Sequence, residues 1–215
     1  MLIPWIILLL FLGSILLFAG LYIPSLRPAL RAEKLGDNAW TQCKHLRIIG
    51  TTFMVVALLL MFLWIWFPIP ELTWPLHHNP WIGIVLAIIV FVAPSPIWIK
   101  GIRDSGTECG TPSPDTEMFG GIYKHIRHPQ TFGEISWFIA VSLFINSLFH
   151  LIIIVLFLLI YIPTMLYVEE RDLIRRFGDA YRDYKKCTGA LIPKFWKRRE
   201  QSVISAPKAF RSSSN

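Results

Sequence analysis

Long blocks of apolar residues constrain the fold of this chain more than any other feature of its sequence. Residues 2–24 form the first block, residues 48–69 the second and residues 81–99 the third. Each block approaches the roughly 20 residues that an α-helix needs to cross the hydrocarbon core of a bilayer. A mean hydropathy of +0.52 agrees with this assignment, as does a charged content of only 16%. The sequence therefore predicts an all-α integral membrane protein.

A fourth apolar stretch runs from Ile135 to Tyr167 and is too long for a single span. Polar residues interrupt it at Asn146, Ser147 and His150. This interruption predicts a tight helical hairpin of two spans, the first of them short. The complete prediction is five transmembrane helices, with spans 4 and 5 forming the hairpin.

The basic residues give the expected orientation. All 21 Lys and Arg residues lie in segments 25–47, 100–134 and beyond about residue 168, which five spans place on one face. By the positive-inside rule this face is cytoplasmic, so we expect the N-terminus outside and the C-terminus in the cytoplasm. A four-span arrangement would put the basic C-terminal tail opposite the basic loops, and the rule disfavours it.

Cysteine placement and charge indicate neither a metal nor a nucleic-acid partner. Cys43, Cys109 and Cys187 are unclustered thiols on the predicted cytoplasmic face, and no His or Cys group has the spacing of metal ligands. The net charge of +7 follows from the basic loops, while the aromatic residues lie in the spans. We therefore expect no metal and no nucleic acid, with membrane lipids as the surroundings of the spans.

Two polar groups flank the predicted hairpin. Arg127, His128 and Pro129 precede span 4, and Glu169 and Glu170 follow span 5. Because both ends of a hairpin lie on the same side of the membrane, we expect the cation and the carboxylates to meet. Two interpretations remain open at this point: a binding site, or ion pairs that only end the helices at the headgroups.

Together these segments resemble a known superfamily. The run G-I-Y-x-x-I-R-H-P, a following Gly133, a hydrophobic hairpin and E-E-R-D-L-I-x-x-F-G-D-A-Y-x-x-Y are similar to the isoprenylcysteine carboxyl methyltransferase and phospholipid methyltransferase superfamily. The resemblance covers about residues 118–195. It implies three parts: residues 1–99 with three spans and one basic cytoplasmic loop, residues 100–196 as methyltransferase core, and residues 197–215 as a basic disordered tail.

The resemblance further implies S-adenosylmethionine as cofactor, bound from the cytosol between the Arg-His-Pro loop and the last helix. The cofactor-binding positions carried over are Thr116, Glu117, Met118, Tyr123, His128, Pro129, Gln130, Thr131 and Glu169. The candidate catalytic residues are Arg127, Glu134 and Glu170. Carboxylates suit the sulfonium and ammonium of this cofactor. Glu134 could attract a cationic acceptor or take its proton, or it could simply begin a helix.

Two departures from the family pattern concern the pocket and the acceptor. Thr131 stands where the family usually has tyrosine, and Met165 stands where isoprenylcysteine enzymes carry an arginine that contacts their carboxylate substrate. A methionine cannot bind a carboxylate, so an anionic acceptor would be desolvated without a partner. We therefore predict a lipid-like or small amphipathic acceptor without a carboxylate; an amino-headgroup lipid and a thiol both fit.

Two further features of the core remain open to interpretation. Residues 104–120 are rich in Gly, Ser, Thr and Pro and form either a linker or a lid over the cofactor. Pro94 and Pro96 must interrupt the third span. Alternatives for function are isoprenylcysteine carboxyl methylation itself, a membrane reductase of the sterol type, and a transporter subunit. The spans lack Lys, Arg, Asp and Glu, which argues against transport.

Overall fold

The computed structural model describes residues 2–113 and 120–194, which form an all-α structure with no β-strands in these two ranges. The predicted tail at 197–215 and the candidates Thr116, Glu117 and Met118 lie outside the described residues. The helices are α1 (Leu2–Ser25), α2 (Pro28–Leu35), α3 (Asn38–Leu63), α4 (Pro80–Val92), α5 (Ser95–Ser105), α6 (Thr131–Phe144), α7 (Leu148–Phe177) and α8 (Asp179–Cys187). Short 3₁₀ turns cover Pro70–Leu72, Gly106–Cys109 and Gly121–Lys124.

Four helical segments in the described part of the chain are long and apolar enough to cross a membrane. They are Leu2–Ser25, Asn38–Leu63, Pro80–Cys109 and Leu148–Phe177. The predicted short fourth span corresponds to α6, which has only 14 residues. At 1.5 Å per residue it is about 21 Å long, shorter than a hydrocarbon core of about 30 Å. The count of five spans thus stays a prediction.

Helix α3 begins and ends earlier than the apolar block that predicts it. It starts at Asn38, inside the basic loop, and ends at Leu63 rather than at residue 69. No proline or helix-breaking pair separates Asn38 from the apolar block, so the helix extends backwards into polar sequence. At the other end Pro68 and Pro70 follow closely, and the chain leaves the helix before them.

The predicted interruption of the third span is confirmed. Helix α4 ends at Val92 and α5 begins at Ser95, with Pro94 between them. The Ser95 hydroxyl donates to the Phe91 carbonyl at 2.5 Å. Proline lacks an N–H and its ring clashes with the preceding turn, which explains the break.

The helical spacing of Leu173, Ile174, Phe177, Tyr181 and Tyr184 predicts that the last helix of the hairpin runs on into an amphipathic helix, but the structure interrupts the helix within this stretch. Helix α7 ends at Phe177, and Gly178 adopts a φ of 59° before α8 begins at Asp179. This left-handed conformation favours glycine and ends the helix. Tyr181 therefore lies on a separate helix, where it is buried.

An aromatic cluster joins the first helix to the hairpin. Phe18 of α1 lies 5.0 Å from the ring of Tyr161 of α7 and 6.3 Å from Phe138 of α6. Phe18 and Phe138 are fully buried. At the opposite end, Asn146 has a φ of 52° between α6 and α7, and its side chain accepts from the His77 N–H at 3.1 Å. These contacts fix the hairpin against the first three helices.

Two glycines allow close packing beside the polar loop at residues 126–130, called the Arg-His-Pro loop below. A Cβ at Gly133 of α6 would lie 2.4 Å from the Trp98 ring of α5, and one at Gly101 would lie 2.9 Å from Pro129. Both distances are below ordinary van der Waals contact. Helix α5 can therefore press directly against α6 and the Arg-His-Pro loop.

We expect Gly133→Val to destabilise the protein by about 1–3 kcal/mol, because the added side chain would overpack the contact with Trp98. Gly13→Val is the matched control, since a Cβ at Gly13 meets nothing within 4 Å. The midpoint of thermal unfolding in detergent measures both. Equal midpoints for the two variants would contradict the packing described for α5 and α6.

Candidate active site

Arg127 is the central cation of a buried ion-pair network. Its Nε donates to Glu170 Oε1 at 2.8 Å, and its Nη2 lies 2.6 Å from the same oxygen. Its Nη1 donates to the carbonyls of Lys185, at 3.2 Å, and Thr188. Since the side chains of Arg127 and Glu170 are 7% and 9% exposed, this pair ties the Arg-His-Pro loop firmly to α7 and to the segment after α8.

Backbone bonds support the same connection. The N–H groups of Arg127 and His128 donate to the carbonyls of Gly189 and Ala190, at 2.9 and 3.0 Å. At Gly189 a Cβ would overlap the Ile192 carbonyl oxygen, at 1.7 Å, so only glycine fits there. The chain after α8 thus folds back and fixes the loop from the outside.

His128 bridges the two glutamates of α7. Its Nδ1 lies 3.0 Å from Glu169 Oε2 and its Nε2 lies 3.3 Å from Glu170 Oε1. Burial by itself would lower the pKa of His128, but the carboxylates of Glu169 and Glu170 outweigh it and raise the pKa to about 9. The imidazolium form is therefore the main form at neutral pH, and both ring nitrogens donate.

The two glutamates differ in how many partners their carboxylate oxygens have. Glu170 accepts from Arg127 and His128, and Lys185 Nζ lies 2.5 Å from its Oε2. Glu169 has a side chain 25% exposed, and only its Oε2 has a partner within residues 2–113 and 120–194. Glu169 is therefore the glutamate that retains a free oxygen for a ligand.

A cavity borders this network, with an open volume of about 60 Å³. Its lining comes from α1, α3, the turn after α5, the Arg-His-Pro loop, α6 and α7. A nucleoside-sized ligand would have to move the surrounding side chains apart. The residues are Tyr22, Leu26, Pro28, Arg47, Glu108, Cys109, Tyr123, Arg127, His128, Pro129, Gln130, Thr131, Glu134, Met165, Glu169, Asp172, Leu173 and Arg176.

Nearly all of the candidate site residues that the structure describes lie around this cavity. Tyr123, Arg127, His128, Pro129, Gln130, Thr131, Glu134, Met165 and Glu169 all line it. Glu170 does not line it and is instead occupied by Arg127, His128 and Lys185. The geometry gives Arg127 and Glu170 a positioning role, and their assignment as catalytic residues stays a prediction.

One face of α7 carries two residues that line the cavity, Met165 and Glu169, with Tyr161 one turn before them. Tyr161, Met165 and Glu169 are spaced by four residues and so share a face. The Tyr161 hydroxyl donates to Glu134 Oε2, on α6, at 3.2 Å. Glu134, Met165 and Glu169 thereby come together around the same cavity, as the order of the motifs predicts.

A small polar cluster fixes the other wall. Gln130 Nε2 donates to the hydroxyls of Ser105 and Tyr123, at 3.0 and 3.1 Å. The Tyr123 hydroxyl donates to the Gly101 carbonyl at 3.1 Å, and the Cys109 thiol donates to Gln130 Oε1 at 3.4 Å. Burial raises the pKa of Tyr123, so this phenol stays protonated and remains a donor.

Five polar or charged residues at the cavity were not expected from the sequence: Tyr22, Arg47, Glu108, Asp172 and Arg176. Arg47 Nη1 donates to the carbonyls of Glu108 and Cys109, at 2.7 and 3.0 Å, and Arg176 Nη1 donates to Glu108 Oε1 at 2.7 Å. In the sequence both arginines look like ordinary cytoplasmic charges. The one feature of the sequence that could have pointed to them is the acidic residue Glu108 within a Gly- and Ser-rich stretch.

We expect His128 to make stability depend on pH between about 6.5 and 9. Its pKa in the folded protein is raised above the ordinary value, so its contribution is fully present below pH 6.5. The contribution is lost as pH rises through about 9. Linkage gives a loss on the order of 3 kcal/mol.

Thermal unfolding in detergent at pH 6, 7.5 and 9.5 measures this effect. The charged groups facing His128 are Glu169 and Glu170, and Glu170 also contacts Arg127 and Lys185. His128→Gln should flatten the decline of the midpoint relative to the unchanged protein. Parallel declines in both proteins would contradict the bridging imidazolium.

Comparison with known proteins gives one family and several relatives. Residues 78–180 match the phospholipid methyltransferase family. The chain is 28% identical to methanethiol S-methyltransferase 2 of Bradyrhizobium diazoefficiens, over 89% of this chain and 75% of the relative. It is 30% identical to methanethiol S-methyltransferase 1 of the same organism, over 74% of this chain and 59% of the relative.

A third relative is the methanethiol S-methyltransferase of Pseudomonas deceptionensis, which is 29% identical over 77% of this chain and 67% of the relative. No solved structure gives a significant match. The family match includes the Arg-His-Pro loop, Glu134, Met165 and Glu169, whereas Tyr22 and Arg47 lie before it.

Proposed function

We propose that the chain is an integral membrane methyltransferase, since residues 78–180 match the phospholipid methyltransferase family, and that it moves a methyl group from S-adenosylmethionine to a small thiol. The observation that carries this proposal is the shared cavity of Glu134, Met165 and Glu169. These side chains offer a proton acceptor, a neutral neighbour and a free carboxylate oxygen. The relatives named for methanethiol support the choice of a thiol.

The side chains present fit S-adenosylmethionine. When bound, this cofactor supplies a methyl group activated by a positively charged sulfonium. Glu169 would bind a cationic part of it through the oxygen that His128 leaves free, and Tyr123 and the Arg-His-Pro loop would hold the remainder. His128 and Glu170 keep Glu169 in place, so the carboxylate is oriented before the cofactor arrives.

Glu134 is placed to act as the base. A thiol must lose its proton as its sulfur forms the new bond to carbon, and Glu134 is the carboxylate that reaches the cavity from α6. Tyr161 donates to its Oε2, which fixes the side chain. Glu134 would take the thiol proton, and the bound cofactor would supply the methyl group to the sulfur.

Met165 restricts which methyl acceptors the cavity can bind. It lies between Tyr161 and Glu169 on the same face of α7 and is 3% exposed. A thioether offers no charge-assisted bond to a carboxylate, whereas it packs well against a methyl group or another sulfur. A small uncharged thiol therefore suits this wall better than a prenylated acid.

We propose further that the chain has five spans and that the cavity opens on the cytoplasmic side. Helix α6 forms the short fourth span, antiparallel to α7. The support is the distribution of Lys and Arg, all of which lie in the three segments on one face. The ends of α6 and α7 that carry Glu134 and Glu169 belong to that face.

We expect the purified protein to methylate methanethiol with S-adenosylmethionine and to leave a farnesylcysteine acid largely unmethylated. Headspace gas chromatography detects dimethyl sulfide, and transfer of a labelled methyl group measures the acid. Met165→Arg should gain some activity towards the acid. Methylation of phosphatidylethanolamine vesicles but not of thiols would favour a phospholipid acceptor, the second candidate that the family match suggests.

Glu134→Gln should lower kcat by about 100- to 10,000-fold, the usual range for loss of a positioned base. Its affinity for S-adenosylhomocysteine should stay close to that of the unchanged protein. Glu71→Gln, in the exposed turn Pro70–Leu72, is the matched control. Full activity of Glu134→Gln at neutral pH would remove Glu134 from the mechanism.

A further inference from the structure

Two arginines at the cavity have a buried donor without a partner. Arg47 comes from α3 and Arg176 from the last turn of α7, and both line the cavity. The Nε atom of each is buried, and neither forms a hydrogen bond with any residue that the structure describes. A buried N–H without an acceptor is unfavourable, so two of them at one cavity point to an anionic ligand.

Other nitrogens of the two arginines donate hydrogen bonds to the segment that follows α5. Arg47 Nη1 donates to the carbonyls of Glu108 and Cys109, at 2.7 and 3.0 Å. Arg176 donates from Nη1 to Glu108 Oε1, at 2.7 Å, and from Nη2 to the Ser113 carbonyl. The Arg176 side chain is only 6% exposed. Both guanidinium groups are therefore fixed, by Nη1 in Arg47 and by Nη1 and Nη2 in Arg176, and the buried Nε of each is left as a donor for a ligand.

Two nearby carboxylates, those of Glu108 and Asp172, already accept hydrogen bonds from other donors. Glu108 accepts from Arg176 and, at 2.9 Å, from the Ser113 N–H. Asp172 accepts from the N–H groups of Ala29 and Leu30, at 3.1 and 2.9 Å, at the start of α2. Glu108 and Asp172 therefore do not serve the two Nε atoms, which have no acceptor among the residues that the structure describes.

We propose that Arg47 and Arg176 bind the carboxylate of the amino-acid part of S-adenosylmethionine, an inference that rests on the proposed function. Arg47, Arg176 and Glu169 line the same cavity. One carboxylate and two cations, the ammonium and the sulfonium, can then meet opposite charges within a single cavity. Arg47 precedes the family match at residues 78–180, so this subsite is built by the first part of the chain.

This assignment also explains why Met165 can discriminate against an acidic acceptor although two arginines line the same cavity. Their free Nε donors serve the cofactor, so these two donors are not available to a second carboxylate. An acidic acceptor would have to compete with the cofactor for the same donors.

Binding of three ligands separates this role from a structural one. The ligands are S-adenosylhomocysteine, its decarboxylated analogue and 5′-methylthioadenosine, which lacks the whole amino-acid part. Isothermal titration of the detergent-purified full chain should show S-adenosylhomocysteine bound at least tenfold more tightly than the decarboxylated analogue. Arg47→Gln should lose most of this preference and keep its affinity for the two ligands without a carboxylate.

Arg171→Gln is the matched control, because Arg171 is exposed and donates only to Tyr167. Arg47→Lys, which keeps the charge without the Nε–H, should retain part of the preference. Equal weakening of all three ligands by Arg47→Gln would overturn the proposal, as would unchanged binding. If the unchanged protein binds no S-adenosylhomocysteine at all, the proposed function itself fails; binding without a carboxylate preference removes only this subsite.

Discussion

The bridge of His128 between Glu169 and Glu170 is the interaction on which the rest of the site depends. Two carboxylates on adjacent residues near the membrane would repel each other without cations beside them, and here Arg127, His128 and Lys185 supply the cations. Removing one partner of such a buried pair leaves an uncompensated charge, at a cost of about 3–5 kcal/mol. The network thereby fixes the Arg-His-Pro loop to α7 and sets the free oxygen of Glu169 at the cavity.

Within the network, the adjacent residues Glu169 and Glu170 have different roles. Glu170 and Arg127 satisfy each other and anchor the segment after α8, whereas Glu169 and Glu134 lie on the cavity. Helix α7 carries both functions because successive residues point in different directions, while residues four apart share a face. A rigid anchor beside a partly free carboxylate is what electrostatic preorganisation requires.

Much of the site could be predicted from the sequence, because the hairpin brings two local motifs together. Arg127 and His128 lie about 40 residues before Glu169 in the sequence. The hairpin alone predicts that they meet, whatever the packing of the other helices. Arg47 could not be found this way, since it meets Glu108 across 61 residues through the packing of α3. The break at Gly178 was also missed. The helical spacing of the apolar residues continues across it, and the positive φ of Gly178 that ends the helix is seen only in the structure.

The central claim is that the cavity bordered by Glu169 and the Arg-His-Pro loop binds S-adenosylmethionine. Ultraviolet cross-linking of the labelled cofactor to the purified protein, followed by peptide mapping, tests this claim most directly. We expect label on peptides containing residues 120–134 or 161–176, and we expect excess S-adenosylhomocysteine to suppress it. Labelling confined to other parts of the chain, or labelling that the competitor does not reduce, would contradict the account.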